Sequence, residues 1–305
     1  MQALLHDPDA AHGLRLGEAA RPEPGASQVL IEVAATSLNF GELAFLDRRT
    51  APGAVAGWDA AGTVRTAAVD GSGPSVGTRV VTFGWSGAWA QSRVVETGEL
   101  AVLPQAVDFA AAAALPVAGV TALRAVRRLG AVVGRRVLIT GASGGVGRFA
   151  VQIAALAGAH VIAAVGSPAR GVGLAELGAA EVVVGLGDIR ERVDRALDNV
   201  GGQMLADVLQ LVRPGGHVLS VGMASLEPTT IDFEQVRLRA GGALIEPFTV
   251  GSGFGADLPY LVSLLAAGKL DPQVGWRGPW DRAGEAAAAL LGRRVRGKAV
   301  LDVAP

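Results

Sequence analysis

The stretch Arg136-Val137-Leu138-Ile139-Thr140-Gly141-Ala142-Ser143-Gly144-Gly145-Val146-Gly147 runs from an apolar strand pattern into a glycine-rich turn, and a helical pattern, Arg148 to Ala157, follows. Glycine at Gly141, Gly144 and Gly147 lets the backbone turn tightly, approach a pyrophosphate closely and pack the next helix against the strand. The amides at the start of that helix, around Ser143, Gly145 and Val146, attract an anion. The pattern reads as a dinucleotide phosphate cradle. A chain with 43 glycines also produces such a turn by chance or for purely structural reasons. A second strand, His160 to Val165, follows at the spacing of a βαβ unit and favours the cradle.

That second strand ends Gly166-Ser167-Pro168-Ala169-Arg170, without the Asp or Glu that accepts hydrogen bonds from the ribose 2′-hydroxyl of NAD. Ser167 can donate to a 2′-phosphate and the planar fork of Arg170 can pair with it. The expected cofactor is NADPH. The alternative for Arg170 is an exposed position in the first turn of a helix.

The elements that must position this turn come in two styles. Residues 1 to about 105 hold short strand segments, such as 28–33, 61–64, 78–83 and 88–95, separated by Gly and Pro; they read as a compact β unit, a barrel or folded sheet. From Ala118 to about Val250 strands and helices alternate, with strands expected at 136–139, 161–165, 181–184, 195–199, 217–222 and 243–248, the signature of a doubly wound parallel sheet. A helix at 258–267, a strand at Val274, a helix at 282–291 and a strand at 298–303 complete the pattern.

At 305 residues the chain is long enough for two domains. Half of the residues are hydrophobic, 18% are charged and the net charge is −1, which gives no electrostatic reason to propose nucleic acid or an anionic membrane as partner. The absence of cysteine excludes disulfides, a thiolate nucleophile and cysteine-ligated zinc. The first nine residues lack the basic and apolar regions of a signal peptide, so a cytoplasmic protein is expected. The uncharged run Phe109 to Leu123 is broken by Pro116 and falls short of a ~20-residue span. His6, His12, His160 and His217 share no metal-ligand spacing, and Ser143 lacks the Gly-x-Ser-x-Gly setting of a hydrolase. Lysine occurs only at Lys269 and Lys298.

Further motifs occur in a telling order: Ser37-Leu38-Asn39-Phe40-Gly41-Glu42, Gly57-Trp58-Asp59-Ala60-Ala61-Gly62-Thr63-Val64, Gly77-Thr78-Arg79-Val80, Ala114-Leu115-Pro116-Val117-Ala118-Gly119-Val120-Thr121-Ala122, the glycine turn, Leu197-Asp198-Asn199-Val200-Gly201-Gly202, Pro214-Gly215-Gly216-His217-Val218 and Gly297-Lys298-Ala299-Val300-Leu301. In these the chain resembles, over essentially its whole length, the medium-chain dehydrogenase/reductase superfamily and its zinc-free quinone oxidoreductase and zeta-crystallin-like branch. The resemblance implies an α/β fold: a Rossmann doubly wound parallel sheet plus a β-rich, GroES-like catalytic domain. It implies a discontinuous catalytic domain, 1–117 and 251–305, and an NADPH-binding Rossmann domain, 118–250. Zinc enzymes of the superfamily have a His-Glu pair where this chain has Trp58-Asp59, so no metal is expected.

The resemblance also assigns site residues. Asn39 matches an asparagine near the reacting centre, whose amide could polarise a carbonyl, or which bonds its own backbone. Glu42 stands at the place of an Asp. Relatives often have a tyrosine a few residues further on, where this chain has Leu43-Ala44-Phe45; its one tyrosine is Tyr260. Glu42, Asp59 or a water is left to deliver a proton. Thr121 matches a threonine near the nicotinamide, and Asn199, Ser220, Val221, Gly222, Met223 and Phe248 fall at strand ends where the cofactor lies. Trp58, Trp85, Trp89, Phe45, Phe248 and Phe254 are candidates for an aromatic-binding pocket or for plain core.

The function this implies is NADPH-dependent hydride transfer to a quinone or other conjugated carbonyl. The alternatives are a stand-alone enoyl reductase of polyketide or natural-product tailoring, since Leu38-Asn39-Phe40-Gly41-Glu42 is similar to a motif of those domains, and an NADPH-binding protein with little turnover. A homodimer joined through the strand near 243–248 is expected.

Overall fold

The computed structural model describes residues 1–303, which fall into two compact units: Met1–Val120 with the chain from Ser252 onward, and Thr121–Gly251. In chain order the first unit contributes β1 (Gln2–His6), β2 (Leu14–Glu18), β3 (Gln28–Leu38), β4 (Asp59–Thr66), β5 (Arg79–Phe83), β6 (Ser92–Glu96) and β7 (Leu100–Val102). The second contributes β8 (Arg136–Ile139), β9 (His160–Val165), β10 (Glu181–Val184), β11 (Val193–Asp198), β12 (Val212–Ser220) and β13 (Leu244–Pro247). The returning chain adds β14 (Val274–Pro279) and β15 (Lys298–Asp302) to the first unit.

The first unit is built on a seven-stranded sheet ordered β14-β15-β3-β4-β5-β7, with β6 also paired to β3. Strand β3 shares one of its edges. Its first half, Gln28 to Glu32, pairs with β6, and its second half, Ala35 to Leu38, with β15. Against β4 it slips register twice, between Leu30 and Ile31 and between Val33 and Ala35, and such bulges bend a strand. This register sets Ser37 opposite Asp59, and Leu38 opposite Ala299, one residue past Lys298. Leu38, Ala60, Trp89, Trp280, Ala299 and Leu301 belong to one buried cluster that fixes the three strands together. The unit is not purely β: two short helices, Phe40–Ala44 and Leu46–Arg49, follow β3 directly. Asn39, in an extended conformation, caps the first of them and turns the chain out of the sheet.

The second unit is a six-stranded parallel sheet, β10-β9-β8-β11-β12-β13. Its strands β8 and β9 are near-continuous apolar runs, as expected of strands in a sheet covered on both faces. The strand order reverses at β8, whose neighbours β9 and β11 lie on opposite sides, and a ligand crevice is expected outside the carboxyl end of the strand at such a point. The helix Gly145–Leu156 leaves β8 there and is buried from Gly147 to Ala154. Residues 185–192 contain no helix, so β10 runs on to β11 without one. Among the described residues no helix is long and apolar enough to cross a membrane.

Candidate active site

In the first unit, Asn39, Glu42 and Asp59 meet, all buried, and with them a residue that sequence reasoning did not single out: Lys298, 2% exposed. The Lys298 ammonium donates to Asn39 Oδ1 (2.5 Å), to the Leu38 carbonyl (3.3 Å) and to Asp59 Oδ2 (3.4 Å). Asn39 Nδ2 in turn donates to Glu42 Oε2 (2.9 Å) and to Asp59 Oδ2 (2.8 Å). The amide cannot be flipped, because its oxygen would then face two carboxylates and its NH2 group an ammonium. Both Nδ2 hydrogens are therefore spent inside the protein. Asn39 does not present a donor to a carbonyl; it is the joint that holds Glu42, Asp59 and Lys298 in register.

The carboxylates are equally committed. Glu42 Oε2 accepts from the Asn39 amide (2.6 Å), the return half of a capping box, and Oε1 from the Trp58 amide (2.6 Å). Asp59 Oδ1 accepts from the Val117 amide (3.0 Å) and Oδ2 also from Ser37 Oγ (3.0 Å). These partners give Glu42 and Asp59 the task of fixing backbone. A buried fourth charge, Arg93 on β6, donates to the Trp58 and Ser86 carbonyls at 2.9 and 3.0 Å. Burial lowers the Arg93 guanidinium to about 10.

Burial, and then the neighbouring Asp59 carboxylate, push the Glu42 carboxyl up from 4.5 to about 8, against the opposing pull of Lys298 and the Asn39 donors. The folded chain then holds this proton up to about pH 8 while the unfolded chain releases it near 4.5. Stability from this group is complete below pH 4.5 and is lost as pH rises through 8, at up to about 1.4 kcal/mol per pH unit. Urea unfolding of Glu42→Gln between pH 5 and 8 is expected to show that slope removed, with overall stability lower by about 1–3 kcal/mol for the mispaired Trp58 amide. A slope equal to that of the wild type would contradict the assignment.

In the second unit the predicted cofactor residues other than Thr121 follow the carboxyl ends of the parallel strands. Gly141, Ser143 and Gly144 lie in the turn after β8, and Gly145 and Val146 open the helix that follows. A Cβ on Gly147 would sit 2.4 Å from the Gly141 carbonyl oxygen and 2.7 Å from Ala142 Cα, so strand and helix are in contact through a glycine. Gly144 has ordinary backbone angles and room for a Cβ, 3.4 Å from the Gly141 oxygen. Arg170 lies over this turn and donates from Nε to Ser143 Oγ (2.9 Å), and Ser167 caps the short helix Pro168–Gly171 that carries it. Thr121 is buried in the helix Pro116–Arg128.

Asn199 follows β11 and donates from Nδ2 to the Thr140 carbonyl (2.9 Å). Ser220, Val221, Gly222 and Met223 follow one another at the end of β12, with Gly222 packed on the Asn199 backbone and Met223 exposed. Phe248, half-buried, continues the β13 ladder by donating its amide to the Ser220 carbonyl (2.9 Å). A second residue missed from sequence organises this end: Asp198 accepts from Thr140 Oγ1 (2.6 Å) and the Gly201 amide (2.7 Å), its carboxyl raised by burial. Its backbone carbonyl takes the amides of Val221 and Gly222. The close glycine contacts of this turn fit a nicotinamide dinucleotide.

Residues 25–105 match the family model of the alcohol dehydrogenase GroES-like domain, and residues 177–301 that of a zinc-binding dehydrogenase. The chain is 34% identical over 277 residues to the acrylyl-CoA reductase AcuI of Ruegeria pomeroyi, covering 82% of this chain and 81% of that one. It belongs to the medium-chain dehydrogenase/reductase superfamily, in its zinc-free quinone oxidoreductase-like branch. Members of this superfamily are oxidoreductases, and the α/β architecture expected from sequence is the one found. A quinone oxidoreductase structure from Pseudomonas syringae pv. Tomato superposes with a TM-score of 0.88 at 25% identity over 99% of both chains. Erythronolide synthase EryA2 of Saccharopolyspora erythraea is 33% identical over 96% of this chain, which spans 8% of the synthase. Several other curated relatives also extend well beyond it, the chain spanning 54–61% of their length. One matching model is described as zinc-binding, yet the chain has no cysteine and, among the described residues, no His, Asp and Glu side chains gather as a metal-ligand group.

Proposed function

We propose that the chain is an NADPH-dependent, zinc-independent reductase of conjugated carbonyl compounds, a quinone being the leading acceptor. The observation that carries this reading is Arg170, laid across the glycine turn on Ser143 with no carboxylate at the end of β9. When bound, the reduced nicotinamide supplies a hydride to the acceptor's electrophilic carbon. The turn and the first amides of the helix Gly145–Leu156 hold the pyrophosphate, and Arg170 with Ser167 holds the 2′-phosphate. Thr121, Asn199, Ser220, Val221, Gly222, Met223 and Phe248 line the nicotinamide side. Asn39, Glu42 and Asp59 keep the acceptor-side backbone in place, and water, rather than these committed groups, delivers the proton to the reduced oxygen.

Following NADPH and NADH oxidation with ortho- and para-quinones, enones and enoyl thioesters tests the reading, turnover with NADPH and a quinone being the expected result. Arg170→Ala should raise KM for NADPH by about 10- to 100-fold, the worth of a charge-assisted hydrogen bond, and leave that for NADH nearly unchanged. Equal losses with both cofactors would remove the phosphate contact. The relatives named acrylyl-CoA reductase and erythronolide synthase favour an enoyl thioester as the second acceptor class. NADPH binding without turnover of any acceptor would instead favour a non-catalytic role. The chain is proposed to act in the cytoplasm as a homodimer. β13, at the sheet edge with Leu244 exposed, would pair with its counterpart in a second copy; a concentration-independent monomer mass in solution would exclude this.

A further inference from the structure

Of the aromatic residues in the first unit, Trp89 and Phe254 are fully buried, whereas Trp85 is 49% exposed and Trp58 half-buried. The two indoles meet edge to face, centroids 5.2 Å apart and planes at 81°. Trp85 rests in the same way on Phe83, at 4.9 Å, and Phe83 is stacked on Phe254. The wall is thus an aromatic column that begins in the core and ends in two accessible indoles.

What holds the wall is unusual for a surface feature. The peptide groups of Trp58 are fixed at both ends by buried ionisable side chains: its amide donates to Glu42 Oε1 and its carbonyl accepts from Arg93. The same carbonyl accepts from the Gly84 amide (3.0 Å), and Arg93 also binds the Ser86 carbonyl, so both residues flanking Trp85 are tied to this frame. A Cβ on Gly84 would meet Arg93 Nη2 at 2.4 Å, which shows how closely the guanidinium underlies that loop. The Arg49 guanidinium stands over the Trp58 ring at 5.6 Å. A desolvated guanidinium and a buried carboxyl group are costly to keep, and here they immobilise the backbone beneath two indoles left in contact with solvent.

We propose that Trp58 and Trp85 form the acceptor subsite and select a planar, fully conjugated ring, a quinone, over a flexible aliphatic enoyl thioester. This rests on the reductase reading above. A right-angled pair of indoles offers a face and an edge to one flat ring, the geometry aromatic pairs favour, and rigidity lowers the entropy lost on binding. Glu42 and Arg93 act on the acceptor only through the Trp58 backbone and the residues that flank Trp85.

The test uses the full chain and the variants Trp58→Leu and Trp85→Leu, with 1,4-naphthoquinone and a short-chain 2-enoyl-CoA as probes. Quenching of indole fluorescence by naphthoquinone without cofactor gives its Kd, and NADPH oxidation gives KM for each acceptor. Each variant should weaken naphthoquinone roughly tenfold in Kd and KM, as loss of an aromatic contact and its buried area implies, and shift the thioester's KM by less than about twofold. Equal shifts for both probes, or none, would overturn the subsite. Quenching that the variants abolish, in a protein that oxidises no NADPH, would retain the subsite and remove the reductase reading. Thioester turnover without naphthoquinone binding would do the reverse.

Discussion

Lys298→Met is expected to lower the unfolding free energy by about 3–5 kcal/mol, the cost of breaking a buried ion pair from one side. All three ammonium hydrogens of Lys298 are used, and the partners they leave behind are the Asn39 oxygen, the Leu38 carbonyl and Asp59, which is fully buried. Methionine fills much of the lysine's volume, so the loss measures the charge and its hydrogen bonds rather than a cavity. Adding Asp59→Asn to Lys298→Met removes the stranded charge, and part of the stability should return. A coupling of at least about 1 kcal/mol is expected from urea unfolding of the four proteins in the double-mutant cycle. Strict additivity would show that the two side chains do not share one network.

The second large effect separates two uses of glycine in one turn. Gly147→Ala places a methyl group against backbone atoms at 2.4, 2.7 and 2.9 Å, none of which can move without moving the turn. Overpacking of this kind costs about 1–3 kcal/mol, and prying the helix from β8 displaces its first amides from the pyrophosphate. NADPH affinity should fall about 100-fold or more, together with thermal stability. Gly144→Ala meets only the Gly141 oxygen, at 3.4 Å, so the protein should keep its melting temperature. Its methyl group would point where the phosphate arrives, and affinity should fall nonetheless. Unchanged NADPH binding in Gly144→Ala, read by nucleotide fluorescence, would displace the pyrophosphate from this turn.

The parallel sheet was legible because its signals are local. β8, β9 and β10 are short runs rich in Val, Ile and Ala, and they lie within a residue of their expected limits. β12 begins at Val212, five residues earlier than expected, because Arg213-Pro214-Gly215-Gly216 reads as a turn but continues the strand. The short helices after β3 were not expected; five and four residues carry too little periodicity to be seen. The site was half legible. Motifs located Asn39, Glu42 and Asp59, yet the role of Asn39 depends on a lysine 259 positions away, and no local pattern shows that both of its amide hydrogens are taken. One signal did exist. Lys298 is one of two lysines among 27 basic residues and lies in an apolar strand, where an ammonium needs partners. Likewise Trp85 and Trp89 are alike in type and neighbours in sequence, and only the fold shows that one is core and the other is accessible.

The place of β15 in the first sheet has a consequence for biosynthesis. Strand β3 leaves the ribosome early, but the strand that covers its second half, and the ammonium that closes the buried cluster on Leu38, come 260 residues later. At 5–20 residues per second that is a wait of roughly 13–50 s. The intervening parallel-sheet unit, contiguous in sequence, can complete itself during this interval, while the second half of β3 stays unpaired on that edge and open to chaperones or to a neighbouring nascent chain. The order of synthesis thus makes the dinucleotide-binding half the first to mature, and any acceptor-side half the last.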